Sequence, residues 1–305
     1  MILIGNCKEK LQEIESKSIQ SCITSPPYWG LRDYGNEAQI GLEQTPQDYV
    51  QQLVEVFREV HRVLKDDGTL WLNLGDSYAG SGKGPAGNLG ATHNERDMET
   101  KHSAIVPNGL KRKDLVGIPW LVAFALQADG WYLRQDIIWA KPNPMPESVT
   151  DRCTKSHEYV FLLSKSRQYY YNNEAIKEPS TSYATDKRAD EGRFTYDSKF
   201  DGSLGTGNQA FVTINETRNK RDVWTISTKP FKGAHFAVMP EALVEPCVLA
   251  GSKIGDIVLD PFMGAGTVGL VSQRYQREFI GIELNPEYAA IARRRMTDCG
   301  DVVLL

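Results

Sequence analysis

Short runs of apolar and β-branched residues recur along the chain, separated by stretches in which polar residues dominate. A run of this kind, a few residues long and bounded by turn-forming residues, is typical of a buried β-strand. The pattern predicts seven strands, over residues 1–4, 19–24, 68–74, 132–140, 158–164, 256–260 and 278–283.

Helical periodicity separates several of these strands. The clearest helix is predicted over residues 46–64, with Thr45 as its N-cap and apolar residues at every third or fourth position. Residues 240–251 show an apolar helical pattern, and a further helix is predicted over residues 286–296. Because strands and helices alternate, we predict an α/β fold in which a mostly parallel, doubly wound sheet carries helices on both faces.

Two polar stretches interrupt this alternation. Residues 75–113 begin with a glycine-rich sequence that suits neither a helix nor a strand, and residues 178–222 are polar and mix acidic with basic side chains. The first stretch is not a phosphate-binding P-loop, since no Ser or Thr follows Lys83. The first stretch is predicted to be a long flexible insertion, and the second an inserted loop region or a small module.

Length and composition restrict the class of protein. The chain has 305 residues, of which 41% are hydrophobic, enough for one large α/β domain with insertions or for two domains. It has no long apolar window and no basic, apolar leader, which predicts a cytoplasmic protein. The five scattered cysteines include no CxxC pair and the five histidines no paired spacing, so reduced thiols and no metal site are expected.

The net charge limits which kind of nucleic-acid-binding surface the protein can have. A formal net charge of -4 excludes a uniformly basic surface for nucleic acid, but a local cluster can still form a basic face. Residues 83–113 hold six Lys or Arg against three acidic residues. This excess is compatible with a basic face or with a solvated loop.

The most specific local pattern lies near the end of the chain. Gly264, Gly266 and Gly269 form a GxGxxG loop directly after the predicted strand 256–260, a helical segment follows, and Glu283 ends the next strand 17 residues after Gly266. Glycines let the backbone approach a ligand closely, and an acid at this distance accepts hydrogen bonds from ribose hydroxyls. The pattern predicts a site for a nucleoside cofactor.

Two features favour S-adenosylmethionine (AdoMet) over a dinucleotide. Only 36 residues follow Gly269, whereas a dinucleotide-binding Rossmann fold normally begins with its glycine loop. The fold is therefore predicted to be circularly permuted. In addition, Asp260 at the strand tip would repel a pyrophosphate but attract the ammonium group of AdoMet, which carries no phosphate.

A second chemical signal is the tetrapeptide Ser25-Pro26-Pro27-Tyr28, directly after the predicted strand 19–24. The exocyclic amine of cytosine or adenine is a poor nucleophile, because its lone pair is delocalised into the ring. Two acceptors on its N–H bonds would localise that pair, and the Ser25 hydroxyl and the Pro26 backbone carbonyl can provide them. Tyr28 can stack on a base that is flipped out of the duplex.

With both signals present, the chain resembles the amino-methylating DNA methyltransferases of the permuted group, in which the catalytic tetrapeptide precedes the cofactor loop. The resemblance covers most of the chain. Matching segments are residues 24–30, 66–78, 136–143, 151–166, 222–228, 235–251, 260–269 and 281–288. It implies a seven-stranded Rossmann-like methyltransferase fold, AdoMet as cofactor and double-stranded DNA as substrate.

The resemblance also assigns roles to individual residues. It places the target amine at Ser25, Pro26, Pro27 and Tyr28. It places the cofactor at Asp260, Phe262, Gly264, Gly266 and Thr267, its ribose at Glu283, its adenine near Asn6 and Cys7, and its methionine end near Phe236 and Pro240. In this family a first-position serine is more typical of cytosine N4 methylation and aspartate of adenine N6 methylation, so Ser25 favours cytosine N4, with adenine N6 as the alternative.

DNA contacts and domain organisation complete these expectations. Arg32, Lys141 and Arg152 are predicted to bind DNA, with surface or ion-paired roles as the alternative for Arg32 and Lys141. Residues 1–166 are expected to form the catalytic half with its insertion at 75–113, residues 167–234 the target-recognition region, and residues 235–305 the AdoMet-binding half. The recognition sequence, a cognate restriction endonuclease that shares it, and a monomeric or dimeric state are left open.

Three other functions compete with this interpretation. The pair Pro246-Cys247 could indicate a C5-cytosine methyltransferase, but it precedes the glycine loop within an apolar helical pattern and is predicted to be a buried structural cysteine. A catalytically idle nucleic-acid-binding module would need neither the tetrapeptide nor the cofactor loop. An AdoMet enzyme acting on a small molecule or a protein is the third, although the two insertions and the flipped-base chemistry favour DNA.

Overall fold

The structure is a computed structural model that describes residues 1–31, 36, 38–80, 106–180, 216–228 and 238–297, and the backbone of 298–300. Two predicted site residues, Arg32 and Phe236, lie outside the described residues, as do the central parts of both insertions. The chain forms two compact units. The larger unit consists of Met1–Asn172 and Asp222–Leu305, and the smaller of Asn173–Arg221.

The order of strands and helices follows the predicted alternation. The strands are β1 (Ile2–Ile4), β2 (Ile19–Thr24), β3 (Leu64–Leu74), β4 (Tyr132–Ala140), β5 (His157–Ser164), β6 (Glu178–Pro179), β7 (Thr217–Arg218), β8 (Val223–Thr225), β9 (Ile257–Asp260) and β10 (Glu278–Glu283). The helices are α1 (Cys7–Gln12), α2 (Pro46–Val63), α3 (Ile118–Ala128), α4 (Glu241–Gly251), α5 (Thr267–Arg274) and α6 (Pro286–Gly300). A short 3-10 turn covers Glu174–Ile176.

In its described residues, the larger unit is built on a mixed sheet of eight strands in the order β1-β10-β9-β2-β3-β5-β4-β8. Neighbouring strands are parallel except where β5 pairs with β3 and β4 in the antiparallel sense. All seven predicted strands are present, which confirms an α/β fold with a mainly parallel sheet. The eighth strand, β8, was not predicted, because its three residues are too few to form an apolar run in the sequence.

Helix α2 shows how the sequence sets the local structure. Thr45 accepts a hydrogen bond from the backbone N of Asp48 at 3.1 Å, and Pro46 occupies the first turn, so the helix begins as predicted. Its apolar face is buried against the sheet and against α1 and α3. The helix runs into β3 without a turn, which is why β3 starts at Leu64, four residues before the predicted strand.

Helices cover both faces of the sheet. Along β3, Leu70 and Leu72 belong to the core that α1, α2 and α3 close, whereas Trp71 lies between them and faces α4. A Cβ atom on Gly251, at the end of α4, would lie 2.8 Å from the Trp71 Nε1 atom. Helix α4 therefore packs closely on the second face, followed there by α5 and α6.

The smaller unit contains the described ends of the second insertion. Strands β6 and β7 pair in the antiparallel sense at its base. Glu178 accepts hydrogen bonds at Oε1 from the Nε atoms of Arg218, at 2.9 Å, and Arg221, at 2.6 Å. This charged cluster holds the two ends of the insertion together. Within the described residues, no helix combines the length and the apolar character needed to cross a membrane.

Candidate active site

Residues predicted at the cofactor and at the target amine meet at the carboxyl ends of four neighbouring parallel strands. Ser25 follows β2, Asp260 ends β9, Glu283 ends β10 and Asn6 follows β1 shortly after its last residue. Since the sheet order is β1-β10-β9-β2, these residues lie in one row. Ligands of open α/β sheets bind at the carboxyl ends of the strands, so this row forms the candidate active site.

A buried hydrogen bond connects β2 to β9 within this row. Thr24, the last residue of β2, donates from Oγ1 to Asp260 Oδ1 at 2.6 Å, and the backbone N of Phe262 donates to the same oxygen at 3.0 Å. Asp260 is only 2% exposed, and burial raises the pKa of its carboxyl to about 7 although both hydrogen bonds oppose this rise. The carboxyl is therefore fixed by the residue that precedes Ser25 and would be stabilised in its ionised form by a bound cation.

Glu283 occupies the position predicted to bind a ribose. Its carboxylate accepts hydrogen bonds from the backbone N of Gly264, at 2.8 Å, and of Asn285, at 2.9 Å. Burial raises the pKa of this carboxyl. Each carboxylate oxygen can accept more than one hydrogen bond, so the two backbone contacts orient the group and still allow it to accept from ligand hydroxyls.

Gly264 and Gly266, the two glycines of the GxGxxG pattern that precede helix α5, have different roles. Both have left-handed backbone conformations, with φ of 51° at Gly264 and 76° at Gly266. A Cβ atom on Gly266 would lie 2.8 Å from the Cβ atom of Ala292, whereas one on Gly264 would meet nothing within 4 Å. Gly266 thus allows α5, which starts at the buried Thr267, to pack on α6, while Gly264 leaves open space at the edge of the site.

Asn6 and Cys7 lie at the start of α1, next to the end of β10. The Asn6 side chain caps this helix by accepting from the backbone N of Lys8 at 2.9 Å, and Gly5 donates its backbone N–H to the Glu283 carbonyl at 2.9 Å. Cys7 is buried, and burial raises the pKa of its thiol to about 11. Both residues thus border the Glu283 end of the row, and the Cys7 thiol stays protonated there.

The tetrapeptide after β2 is fixed by contacts to α2 and to the loop before it. Tyr49 of α2 donates from its hydroxyl to the Pro27 carbonyl at 2.8 Å. Gly41 also packs closely on the tetrapeptide, since a Cβ atom there would lie 3.1 Å from the Tyr28 carbonyl oxygen. Pro26 is buried and Ser25 is half-buried. Because the Pro27 carbonyl already receives a hydroxyl, the Pro26 carbonyl is the better candidate to accept from a substrate amine.

Tyr28 is held by a network of polar side chains on β3 and β5. Its hydroxyl lies 2.7 Å from Glu158 Oε2 and 3.3 Å from Asn73 Oδ1, and the Ser25 hydroxyl lies 3.5 Å from the Tyr28 hydroxyl oxygen. Lys141 pairs with the other oxygen of Glu158. Burial raises the pKa of the Tyr28 phenol well above its usual range, and the negative charge of Glu158 is the second cause of this rise. Tyr28 therefore stays a neutral hydrogen-bonding group.

The two described candidates for DNA contacts are engaged with protein groups. Lys141 pairs with Glu158 and lies 4.2 Å from the centre of the Trp139 ring. Arg152 pairs with Glu147 at 2.7 Å and stacks over Tyr78 at 4.0 Å. The ion-paired alternative is thus what the structure shows for Lys141. Contact of either side chain with DNA stays a prediction.

Helix α4 brings further groups to the site. The buried Pro240 precedes its first turn. Met239, Leu243 and Cys247 line a small pocket, and Thr24 and Asn73 line it as well. Cys247 is buried and donates from Sγ to the Leu243 carbonyl at 3.3 Å, which confirms the predicted buried cysteine.

Four residues of this site were not recognised from the sequence: Thr24, Tyr49, Asn73 and Glu158. Asn73 and Glu158 are polar residues within strand-like runs, near the carboxyl end of β3 and the amino end of β5. A polar residue inside an otherwise apolar strand is the signal that could have found them. Tyr49 gave no such signal, because a tyrosine on the apolar face of α2 is indistinguishable from a core residue.

The comparison with protein families shows to which family the chain belongs. The family model described as DNA methylase matches residues 19–294. The chain belongs to the DNA methylase family. This DNA methylase is 49% identical over 300 residues to the type II methyltransferase M.SmaI of Serratia marcescens. The matched region covers 97% of this chain and 90% of that relative. It is 48% identical over 295 residues to M.Cfr9I of Citrobacter freundii, with 96% and 86% covered.

Solved structures show the same fold at low sequence identity. The cytosine-N4-specific PvuII DNA methyltransferase matches with a TM-score of 0.64 at 19% identity, over 98% of this chain and 89% of that one. A putative DNA modification methylase from Thermus thermophilus, complexed with S-adenosyl-L-methionine, matches with a TM-score of 0.59 at 23% identity, over 98% and 95% of the two chains.

Family membership confirms that this DNA methylase is a methyltransferase enzyme and that its cofactor is AdoMet. The residues present fit this cofactor chemically. The buried carboxyl of Asp260 suits its ammonium group, Glu283 suits its ribose hydroxyls, and the open space at Gly264 allows the backbone to approach it. Because AdoMet carries no phosphate, it is not repelled by the carboxylates of Asp260 and Glu283.

The two glycines of the loop provide a prediction about this fit. In Gly266→Ala, left-handed strain and the contact with Ala292 should lower the free energy of unfolding by about 2–4 kcal/mol. In Gly264→Ala, strain alone should cost about 1–2 kcal/mol, while the added methyl group weakens AdoMet binding by roughly tenfold. Urea unfolding and calorimetric titration with AdoMet would separate the two. Equal loss of stability in both variants would contradict the distinction.

Proposed function

We propose that this DNA methylase transfers the methyl group of AdoMet to the exocyclic N4 amine of a cytosine that is flipped out of double-stranded DNA. The observation that carries the proposal is the hydrogen bond between Thr24 and Asp260. It joins the strand that ends in the tetrapeptide to the strand that ends at the cofactor loop. A methyl donor near Asp260 and an amine at Ser25 would therefore meet over adjacent strand ends.

The roles of the tetrapeptide follow from its contacts. The Ser25 hydroxyl and the Pro26 carbonyl accept the two N–H bonds of the amine, which localises the nitrogen lone pair. Tyr49 holds the Pro27 carbonyl and so fixes the turn that aims these acceptors. Tyr28 keeps a half-buried ring whose face can stack on the flipped base. AdoMet supplies an electrophilic methyl group on a sulfonium.

The choice of base rests on Ser25. In the family that the sequence resembles, serine at this position is more typical of cytosine N4 methylation, which makes cytosine the favoured target. Adenine N6 is the alternative, since its amine presents the same two N–H bonds. A non-DNA acceptor is a weaker alternative, because the matched family is one of DNA methylases.

The predicted organisation of the chain belongs to the same proposal. The strands on both sides of β9 come from the start of the chain and from its end, as a circular permutation requires. We assign target recognition to residues 167–234, which include the smaller unit Asn173–Arg221, and DNA contacts to Arg32, Lys141 and Arg152. Because the relatives are named type II methyltransferases, a cognate restriction endonuclease that shares the recognition sequence is proposed as a functional partner.

The test is incubation of the protein with unmethylated double-stranded DNA and isotope-labelled AdoMet, followed by mass spectrometry of the nucleosides. N4-methylcytosine supports the proposal. N6-methyladenine as the product would refute the assignment of the base but keep the site and the cofactor. If the protein binds AdoMet and DNA gains no methyl group, the DNA substrate is wrong, and protein or small-molecule acceptors should be tested under the same conditions.

A further inference from the structure

A polar network on β3 and β5 lies behind the tetrapeptide and is not explained by binding of the cofactor. Glu158 is its centre, with a side chain only 15% exposed. One carboxylate oxygen pairs with Lys141, and the other receives Tyr28 and the side-chain amide of Asn73, at 2.7 Å and 3.2 Å. Removing a carboxylate from water costs free energy, even when it has several partners. The burial of Glu158 therefore indicates a function beyond packing.

The hydrogen bonds of the Tyr28 hydroxyl have a defined direction. A phenol has one proton to donate, and Glu158, at 2.7 Å, is a closer acceptor than Asn73 Oδ1, at 3.3 Å. The Asn73 amide is itself oriented, because its Nδ2 donates to Glu158 and to the Tyr159 carbonyl at 3.0 Å. The Tyr28 hydroxyl therefore donates its proton to a hydrogen bond with Glu158, and the lone pairs of the Tyr28 oxygen point away from Glu158.

This direction determines what Ser25 can do. The Ser25 hydroxyl lies 3.5 Å from the Tyr28 oxygen, which accepts rather than donates because its own proton is directed to Glu158. With its proton turned toward Tyr28, Ser25 presents lone pairs on the opposite side of its oxygen. An oxygen whose proton is engaged elsewhere is a better acceptor for a substrate N–H than a freely rotating hydroxyl.

We propose that Glu158 is a positioning residue for methyl transfer: acting through Tyr28, it orients the Ser25 hydroxyl so that Ser25 accepts a hydrogen bond from the target amine. The inference rests on the proposed function and adds a residue to it. Lys141 completes the arrangement by pairing with the second carboxylate oxygen and so fixing the carboxylate plane. This gives Lys141 a structural task within the site in addition to the DNA contact proposed above.

The reaction itself is balanced without a proton passing to Glu158. The amine nitrogen forms a bond to the methyl carbon, the carbon–sulfur bond breaks, and its electron pair stays on sulfur. The nitrogen then releases one of its protons to solvent. Glu158 remains a hydrogen-bond acceptor throughout, and its contribution is the orientation of Tyr28 and Ser25.

The decisive variant is Glu158→Gln, which keeps the size of the side chain. Its amide oxygen would pair with Lys141, and its NH₂ group would donate to the Tyr28 oxygen. The NH₂ group would thus compete with the Ser25 hydroxyl for the lone pairs of that oxygen, and Ser25 would lose its fixed orientation. We expect the single-turnover rate of methyl transfer to fall by about 10- to 100-fold, with dissociation constants for AdoMet and for DNA within about twofold of the wild type. An unchanged rate in a folded Glu158→Gln protein would overturn the proposal.

A double-mutant cycle tests whether Glu158 acts through Tyr28. Tyr28→Phe keeps the stacking ring but removes the hydroxyl, and should lower the rate by a similar factor. In the Tyr28→Phe background, Glu158→Gln should then cost less than about threefold, because the link to Ser25 is already lost. If the two effects multiply instead, Glu158 acts by another route. Should Glu158→Gln not fold, a wild-type rate in Tyr28→Phe would still refute the proposal.

Asp256→Asn is the matched control. Asp256 is also a carboxylate with a side chain 15% exposed and with a lysine partner, Lys65 at 2.8 Å. It lies before the amino end of β9, however, whereas the candidate site lies at the carboxyl ends of the parallel strands. Its substitution should leave the rate of methyl transfer unchanged. The controls also separate two kinds of failure. If wild-type protein methylates no DNA amine, the proposed function fails; if it does and Glu158→Gln matches it, only the role of Glu158 fails.

Discussion

Ser25→Ala is expected to abolish most methyl transfer while the protein still binds AdoMet. The substitution removes one of two acceptors that localise the amine lone pair, an interaction that matters most in the transition state. Removal of one such preorganised group typically costs roughly 10²- to 10³-fold in rate. The half-buried Ser25 makes only one described side-chain hydrogen bond, a long one to Tyr28, so stability should change little.

The measurement is a single-turnover assay with labelled AdoMet on unmethylated DNA, accompanied by calorimetric titration with AdoMet. Ser18→Ala is a suitable control, because Ser18 precedes the amino end of the same strand and, among the described residues, donates only to the Glu15 carbonyl, at 2.7 Å. It should keep the full rate. A Ser25→Ala protein that retains more than about a tenth of the wild-type rate would show that the amine is activated by other groups.

The strands and the cofactor loop could be predicted because their signals are local. Buried parallel strands require apolar runs, and the left-handed conformations of Gly264 and Gly266 require glycine. The acid at Glu283 stands at a fixed distance along the chain from the loop, since one helix and one strand separate them. Each of these features depends on residues that are close in the sequence.

The partners of Tyr28 could not be predicted in the same way. Asn73 lies 45 residues after Tyr28, and Glu158 lies 130 residues after it. Which strands become neighbours depends on the sheet order, and the antiparallel placement of β5 between β3 and β4 follows from no local pattern. For the same reason the pairing of Lys141 with Glu158 was open, and a lysine near the end of a strand was equally compatible with a DNA contact.

Asp260 illustrates how a cofactor site can oppose the stability of the fold. In an unfolded chain an aspartate has a pKa of about 3.9, whereas burial raises the pKa of Asp260 to about 7 in the fold. Between these pH values the folded protein binds more protons than the unfolded one. The free energy of unfolding attributable to Asp260 therefore falls as the pH rises from about 4 to about 7, and stays low above it.

We accordingly expect Asp260→Asn to stabilise the cofactor-free protein at pH 8, by roughly 2–4 kcal/mol, and to have a much smaller effect near pH 4. The amide oxygen can still accept from Thr24 and from the backbone N of Phe262, so the packing is preserved. AdoMet affinity should fall by about 10- to 100-fold, because its ammonium group loses a charged partner.

Urea unfolding without cofactor at several pH values, and calorimetric titration with AdoMet at pH 8, test both parts. A variant less stable than the wild type at pH 8 would mean that the buried charge is compensated within the protein. Unchanged AdoMet affinity would place the ammonium group elsewhere. If both expectations hold, Asp260 is a carboxylate that the fold tolerates for its ligand, and a bound AdoMet should stabilise the wild type far more than the variant.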